Sequence, residues 1–407
     1  VRRPLRIGVI SLASPSWLAG QSFTEVVLDG ILRARDPGRE QVVLVAPDWA
    51  ATPREGAEVV ALPPADLSLP GRARRGILRA RERLPTLPGE WALRSRFRLA
   101  EPSNPVHAAR LAGVDVVIPI AHVHAPGVDV RSVGWIPDFQ HRFLKEAFHP
   151  DEIADRDADQ AALAAHCDRM IFSSRAVLRH FEQIHPRHAH KARVASFPSQ
   201  LAFSAPEGDA RAVLARYGVP DRFALVINQF WAHKNHGVVV DALAQLVARG
   251  RGVPVVMVGG LGDYRDPQGR YLSSLLQQIA RTRVGSHLWM LGKVPFPDLR
   301  DLLRCAAVVV QPSRFEGWNT TVQDALALGR PVMCSDIDVH REQAPGAVGF
   351  FGCDRPDQLA DLIEARWEAL PAGPDPARER EALAAEARFA ARYGEILVAT
   401  CREAAGV

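Results

Sequence analysis

The chain has 407 residues, 24% charged and 47% hydrophobic, with a formal net charge of +4. That length suits two domains of roughly 200 residues each. The small excess of basic residues does not call for nucleic acid, and the composition is that of a globular protein with ordinary apolar content.

The N-terminal residues Val1–Arg6 lead into a short strand pattern, without the apolar core and cleavage site of a secretory leader. No run of about 18 apolar residues reads as a membrane span, so the expected location is the cytoplasm. Strands are predicted at Ile7–Ser11, Val42–Ala46, Val59–Leu62, Val114–Ile120, Val133–Ile136, Met170–Ser173 and Val194–Phe197. Helical patterns alternate with them, the signature of a parallel sheet with crossover helices. Between them, Arg72–Arg98 interleaves nine arginines with leucines and Trp91. A peripheral contact with an anionic membrane or a phosphorylated acceptor is one reading; solvated surface is the preferred one.

Trp135-Ile136-Pro137-Asp138-Phe139-Gln140-His141 closes a predicted strand with an acid, an amide and an imidazole. At a strand's carboxyl end, His141 can act as acid or base near neutral pH or orient a substrate hydroxyl. The Pro- and Ser-rich stretch 197–206 marks a domain boundary, placed near residue 203. The second half repeats the rhythm with strands predicted at Ala224–Ile227, Pro254–Val258, Leu288–Leu291, Ala306–Val310, Val332–Ser335 and Val348–Phe351. The fold class is therefore α/β, with two doubly wound, Rossmann-like domains at 1–203 and 204–384 and a final amphipathic helix at 385–405.

After Ala224–Ile227 come Asn228 and Gln229, able to donate hydrogen bonds, and Lys234, able to supply a point charge to a diphosphate. Gly259-Gly260-Leu261-Gly262 allows close approach of backbone to a ligand. It is not a dinucleotide fingerprint, because Arg265 occupies the third glycine position. After Ala306–Val310, the loop Glu316-Gly317-Trp318-Asn319 precedes a helix for which Thr320 and Gln323 form a capping box. Amides near Asn319, Thr320, Thr321 and Val322 would face an anion, and Glu316 and Asp324 would bracket it, holding ligand hydroxyls. Asp336-Ile337-Asp338 follows a buried strand and is discounted as a metal motif. The five cysteines, widely spaced, read as buried reduced thiols, and no His/Cys spacing supports a metal.

At Glu316-Gly317 with Asp324 eight positions on, the chain resembles the family 4 glycosyltransferases, retaining enzymes of the two-domain GT-B architecture. Their second carboxylate is glutamate, here Asp324, and they carry an arginine where this chain has Gln229, with Lys234 matching their lysine. The resemblance implies transfer of a sugar from a nucleoside diphosphate sugar, with UDP weakly favoured, to a hydroxyl or amine, with no cofactor, no dedicated metal and no protein nucleophile. It implies that Gly20 faces the donor phosphate, Gly260 lies beside the donor, Val294 frames the base, and Glu316 and Asp324 hold sugar and ribose. Gly317, Trp318, Asn319, Thr320 and Thr321 complete the donor side. Trp135, Asp138, Gln140 and His141 would form the acceptor side, and the final helix would cross back to the first domain. Two alternatives remain: a nucleotide-sugar epimerase of the same architecture, and a two-lobed sugar- or phosphate-binding protein without chemistry.

Overall fold

The computed structural model describes residues 3–13, 18–62, 104–122, 130–203 and 209–407. The arginine-rich stretch 72–98 and the last part of the expected boundary segment, 204–206, lie outside the described residues.

Seven strands form the first sheet: β1 (Leu5–Ile10), β2 (Glu40–Pro47), β3 (Ala57–Leu62), β4 (Val116–Ile120), β5 (Arg131–Trp135), β6 (Arg169–Phe172) and β7 (Ala192–Val194). They run parallel in the order β3-β2-β1-β4-β5-β6-β7. The second sheet holds β8 (Ala224–Ile227), β9 (Val255–Val258), β10 (Leu288–Gly292), β11 (Val308–Gln311), β12 (Val332–Ser335) and β13 (Gly349–Phe351). Its order is β10-β9-β8-β11-β12-β13, again parallel. The expected pair of doubly wound domains is what forms. Crossover helices cover both faces, so the central strands are mostly apolar, and β4, β9, β11 and β12 are buried at every position, including the polar Gln311 and Ser335 at the carboxyl ends of β11 and β12.

In each sheet the strand order reverses once, between β1 and β4 and between β8 and β11, and the carboxyl ends of strands at such a point open a crevice. β7 ends at Val194 rather than continuing to Phe197. Pro198 follows and cannot donate to a ladder, and the Phe197 carbonyl is taken instead by the Trp318 indole N–H at 3.0 Å. The chain crosses to the second domain at Pro198–Gln200, ahead of residue 203, because Leu201 and Ala202 already pack in the second core.

The last helix runs over Pro376–Ala405. Leu383 packs on the second domain, while Tyr393, Leu397, Val398 and Cys401 join the core of the first. It crosses the helix Leu18–Ala34 at Gly30 and Gly394, where a side-chain carbon on Gly394 would stand 2.2 Å from the Gly30 carbonyl oxygen. Only glycine permits that approach. A second joint lies on the opposite flank. Glu342 accepts hydrogen bonds from the amides of Arg175 (2.8 Å) and Ala176 (3.1 Å), and Asp338 pairs with Arg179 at 2.7 Å. The Asp-Ile-Asp motif is thus spent on protein contacts, Asp336 pairing with Arg341. Among the described residues, no helix is long and apolar enough to cross a membrane.

Candidate functional site

The carboxyl ends of β8 and β11 deliver two loops to the crevice. Asn228, buried behind β8, donates from Nδ2 to Gln311 Oε1 at 2.5 Å. The chain after β9 presses on it: Gly259 has φ +157, and a side-chain carbon there would lie 1.9 Å from the Asn228 carbonyl oxygen. Asn228 is therefore a girder between strands, while Gln229 beside it is exposed. The turn Ala232–Lys234 ends at Asn235 with φ 57, a left-handed conformation that asparagine tolerates. Its Nδ2 donates to the carbonyls of Pro312 (3.1 Å) and Cys353 (2.8 Å), and the Arg314 amide donates to the His233 carbonyl at 2.8 Å. The two loops are stapled together in this way.

The consequence is a direct contact between the two side chains singled out from the sequence. Lys234 Nζ lies 2.6 Å from Glu316 Oε1, with side chains 17% and 9% exposed. A charge-assisted bond this sheltered is ordered, and either partner alone would be left with a costly desolvated charge. Burial, followed by repulsion from Lys234, pushes His233 down to about 2 and holds His236 down at about 3, so both rings are neutral. Among the described residues, no group of three or more His, Cys, Asp or Glu side chains comes together as a metal site.

The helix Thr320–Ala327 is capped differently from the expectation. Asn319, not Thr320, is the cap: its Oδ1 accepts from the Val322 amide and from Gln311 Nε2, each at 3.0 Å. Gln343 holds the Asn319 carbonyl (2.8 Å) and amide (3.2 Å). Asn319 is thereby committed inside the protein. Gln323, expected to close a capping box, instead donates to Glu386 Oε2 at 2.7 Å. Thr320 is exposed, and Thr321 Oγ1 donates to the Ile227 carbonyl at 2.9 Å. The first-turn amides of Thr320 and Thr321 have no helical carbonyl to bond and carry the positive end of the helix dipole.

Asp324 points to the domain crossing, where its Oδ1 lies 2.5 Å from Ser199 Oγ. Burial pushes this carboxyl up to about 7, against hydrogen bonds from Ser199 and the Leu201 amide, and Glu386 nearby adds to the lift. Because the folded value lies above the unfolded one, the stability involved is present below about pH 4 and lost as pH rises through about 7. Asp324→Asn, neutral throughout, is expected to melt a few degrees above wild type at pH 8, the difference shrinking as pH falls below about 7 and vanishing only below about pH 4. Thermal melts across that range check it. Trp318 also serves the crossing, donating to the Phe197 carbonyl and stacking on Phe389 with ring centroids 6.5 Å apart.

On the opposite wall, Trp135 is core: it stacks on Phe23 with centroids 3.8 Å apart and donates from Nε1 to Ser173 Oγ at 3.3 Å. His141 is wholly buried, its Nε2 2.9 Å from Asp157 Oδ1. It orders the loop from behind. Asp138 faces the opposite loop: burial raises its carboxyl, Glu316 raises it further, and the Gln140 backbone amide, Arg156 and His141 pull it back. Gln140 donates its amide to Asp138 Oδ1 at 2.8 Å. The two walls meet at Gly317, where a side-chain carbon would stand 2.1 Å from the Pro137 carbonyl oxygen and 3.1 Å from Asp138 Cβ.

Gly20 lies in the first turn of the helix Leu18–Ala34 rather than in a loop, its carbonyl accepting from Thr24 Oγ1 at 2.9 Å. Gly260 sits against Lys293, and Val294 packs its side chain on the second core. Sequence reasoning missed two features. Phe315, beside Glu316, stacks with Phe143 and His180 of the first domain, at centroid distances of 5.7 and 6.0 Å. Arg265, noted only as breaking a glycine motif, reaches Gln140 at 3.2 Å. No local spacing announces either contact.

Residues 216–380 match the family described as glycosyl transferases group 1. The α-maltose-1-phosphate synthase of Mycolicibacterium smegmatis is 27% identical over 212 residues, 50% of this chain and 52% of that protein. The α-D-kanosaminyltransferase of Streptomyces kanamyceticus is 25% identical over 329 residues, 75% of this chain and 81% of that protein. The chain spans about half the length of the first of these relatives. Among solved structures, Anabaena Alr3699/HepE in complex with UDP-glucose superposes with a TM-score of 0.57 at 17% identity, covering 99% of this chain and 98% of that one.

Proposed function

We propose, from the match of residues 216–380 to the group 1 glycosyl transferases and from the two facing Rossmann-like sheets, that the chain transfers a sugar from a nucleoside diphosphate sugar to an acceptor hydroxyl or amine with retention of configuration. The observation that carries the reading is the Lys234–Glu316 pair at 2.6 Å, set at the strand-order reversal of the second sheet and facing Asp138 across the Gly317 contact.

In this reading Lys234 and the amides of Thr320 and Thr321 receive the diphosphate, and Glu316 holds Lys234 in place and accepts from a sugar hydroxyl. As the bond from the sugar C1 to the diphosphate oxygen breaks, the leaving group gains negative charge opposite the lysine and the helix end. The acceptor oxygen bonds to C1 on the same face. Asp138, its carboxyl lifted by burial, is the group placed to hold the acceptor and its departing proton. Gln229, exposed where related enzymes carry an arginine, leaves Lys234 as the cation of that turn. The UDP-glucose held by the Anabaena protein supports a UDP-sugar as the first donor to try.

A thermal-shift screen of UDP-, GDP-, ADP- and dTDP-glucose tests the reading. One class of nucleotide sugar is expected to raise the melting temperature, since a ligand at about 100 times its Kd contributes about 2.7 kcal/mol to the folded state. No shift with any of them would sink a nucleotide-sugar site.

A further inference from the structure

The segment that follows β9 crosses the cleft. Arg265 stands on it with a side chain only 8% exposed, its Nε 3.2 Å from Asp263 Oδ1. Nη1 donates to Gln140 Oε1 of the first domain at 3.2 Å, and Nη2 lies 3.4 Å from His233 Nδ1. Three aromatic rings surround the guanidinium: Trp231 at 4.7 Å and Tyr264 at 5.4 Å from its own domain, and Phe148 at 5.2 Å from the other. Beside it the Tyr264 hydroxyl meets Arg156 at 3.3 Å and Glu152 at 3.4 Å, again across the cleft.

A desolvated guanidinium among aromatic faces, with its donors directed at fixed acceptors, is a rigid post rather than a surface charge. The load it bears can be traced. Gln140, whose side-chain oxygen accepts from Arg265, donates its backbone N–H to the carboxylate of Asp138, and Asp138 faces the Glu316 loop. The donor domain therefore sets the position of a carboxylate carried by the other domain. We propose that Arg265 is a positioning residue of the acceptor wall, holding the Asp138–His141 loop in register with the Glu316 loop through Gln140. The inference rests on the glycosyltransferase reading for its consequence in turnover, and on geometry alone for the ordering of the loop.

Two measurements on the full chain separate these. In hydrogen exchange, Arg265→Ala is expected to speed exchange at residues 138–144 by about tenfold or more while β8 and β11 stay protected. In turnover, the nucleotide sugar giving the largest thermal shift is followed by hydrolysis to free sugar. Arg265→Ala is expected to lower kcat about tenfold with KM for that nucleotide sugar within about twofold, because the donor contacts all lie elsewhere. Gln140→Ala is expected to match it, and the double variant to add nothing further. Arg265→Lys should behave like the alanine variant, since an ammonium cannot hold Asp263 and Gln140 together. Unchanged exchange at 138–144, losses that multiply in the double variant, or full recovery with lysine would each overturn the proposal. Wild-type protein that binds and hydrolyses none of the four nucleotide sugars would remove the enzymatic reading, and the exchange result would still decide whether Arg265 positions the loop.

Discussion

Glu316→Gln is expected to lower turnover by about 10²–10³-fold, and Lys234→Ala by a similar factor, with both proteins still folded. The two changes fail in different ways. Glutamine keeps a carbonyl for Lys234 Nζ, now 2.6 Å from Glu316 Oε1, but removes the negative charge that fixes the ammonium and that, in the proposed reaction, accepts from the sugar. Alanine at 234 strips the charge that the proposed reaction sets opposite the leaving diphosphate, and strands Glu316, 9% exposed, without its cation. Each residue works through the other, so the double variant should be little worse than the more damaged single one. The measurement is initial-rate kinetics on the nucleotide sugar selected by thermal shift, with circular dichroism to confirm folding. Near wild-type turnover in both single variants would remove the pair from the chemistry. A loss that appears only in KM would make it a binding pair and not part of transition-state stabilisation.

The strands were legible because each sheet is parallel and buried on both faces: runs such as Val308–Val310 and Val255–Val258 are apolar without interruption and end at Pro312 or Gly259. The Lys234 and Glu316 loops were legible as candidates because ligand crevices form where strands hand over to helices, and both residues sit at such points. The errors arose where a partner lies far along the chain. Thr320 and Gln323 have the spacing of a capping box, yet Gln323 prefers Glu386, a residue on the last helix, and Asn319 caps because Gln311 and Gln343 hold it in place. Asp324 has the spacing of a ligand carboxylate, and in the structure its Oδ1 meets Ser199 Oγ at the domain crossing. Trp135 looks like a cleft residue until Phe23 covers it. His141 has the look of a cleft imidazole in sequence, and the structure buries it with its Nε2 beside Asp157. Arg265 was unreadable for the same reason: its meaning depends on Phe148 and Gln140, which only the docking of two domains brings near.

Gly317→Ala is expected to cost at least about 10²-fold in turnover without unfolding either domain. A methyl group there would lie 2.1 Å from the Pro137 carbonyl oxygen, well inside van der Waals contact, and the obstructing atom belongs to backbone and cannot rotate away. The strain cannot be absorbed on the donor side either, because Asn319, two residues on, is fixed by Gln343 and Gln311. The loops must then separate, carrying Glu316 away from Asp138 and loosening the Phe315 contact with Phe143 and His180. Donor binding should survive, since Lys234 and the amides of Thr320 and Thr321 all belong to the second domain. Two readouts distinguish this from simple destabilisation: nucleotide affinity by calorimetry, expected within a few-fold of wild type, and the radius of gyration by small-angle scattering, expected to rise. A Gly317→Ala protein that stays as compact as wild type and turns over normally would show that the Glu316 and Pro137 loops need not touch for the reaction. Tight nucleotide binding combined with an opened particle and lost turnover would identify Gly317 as the point at which the donor wall is allowed to reach the acceptor wall.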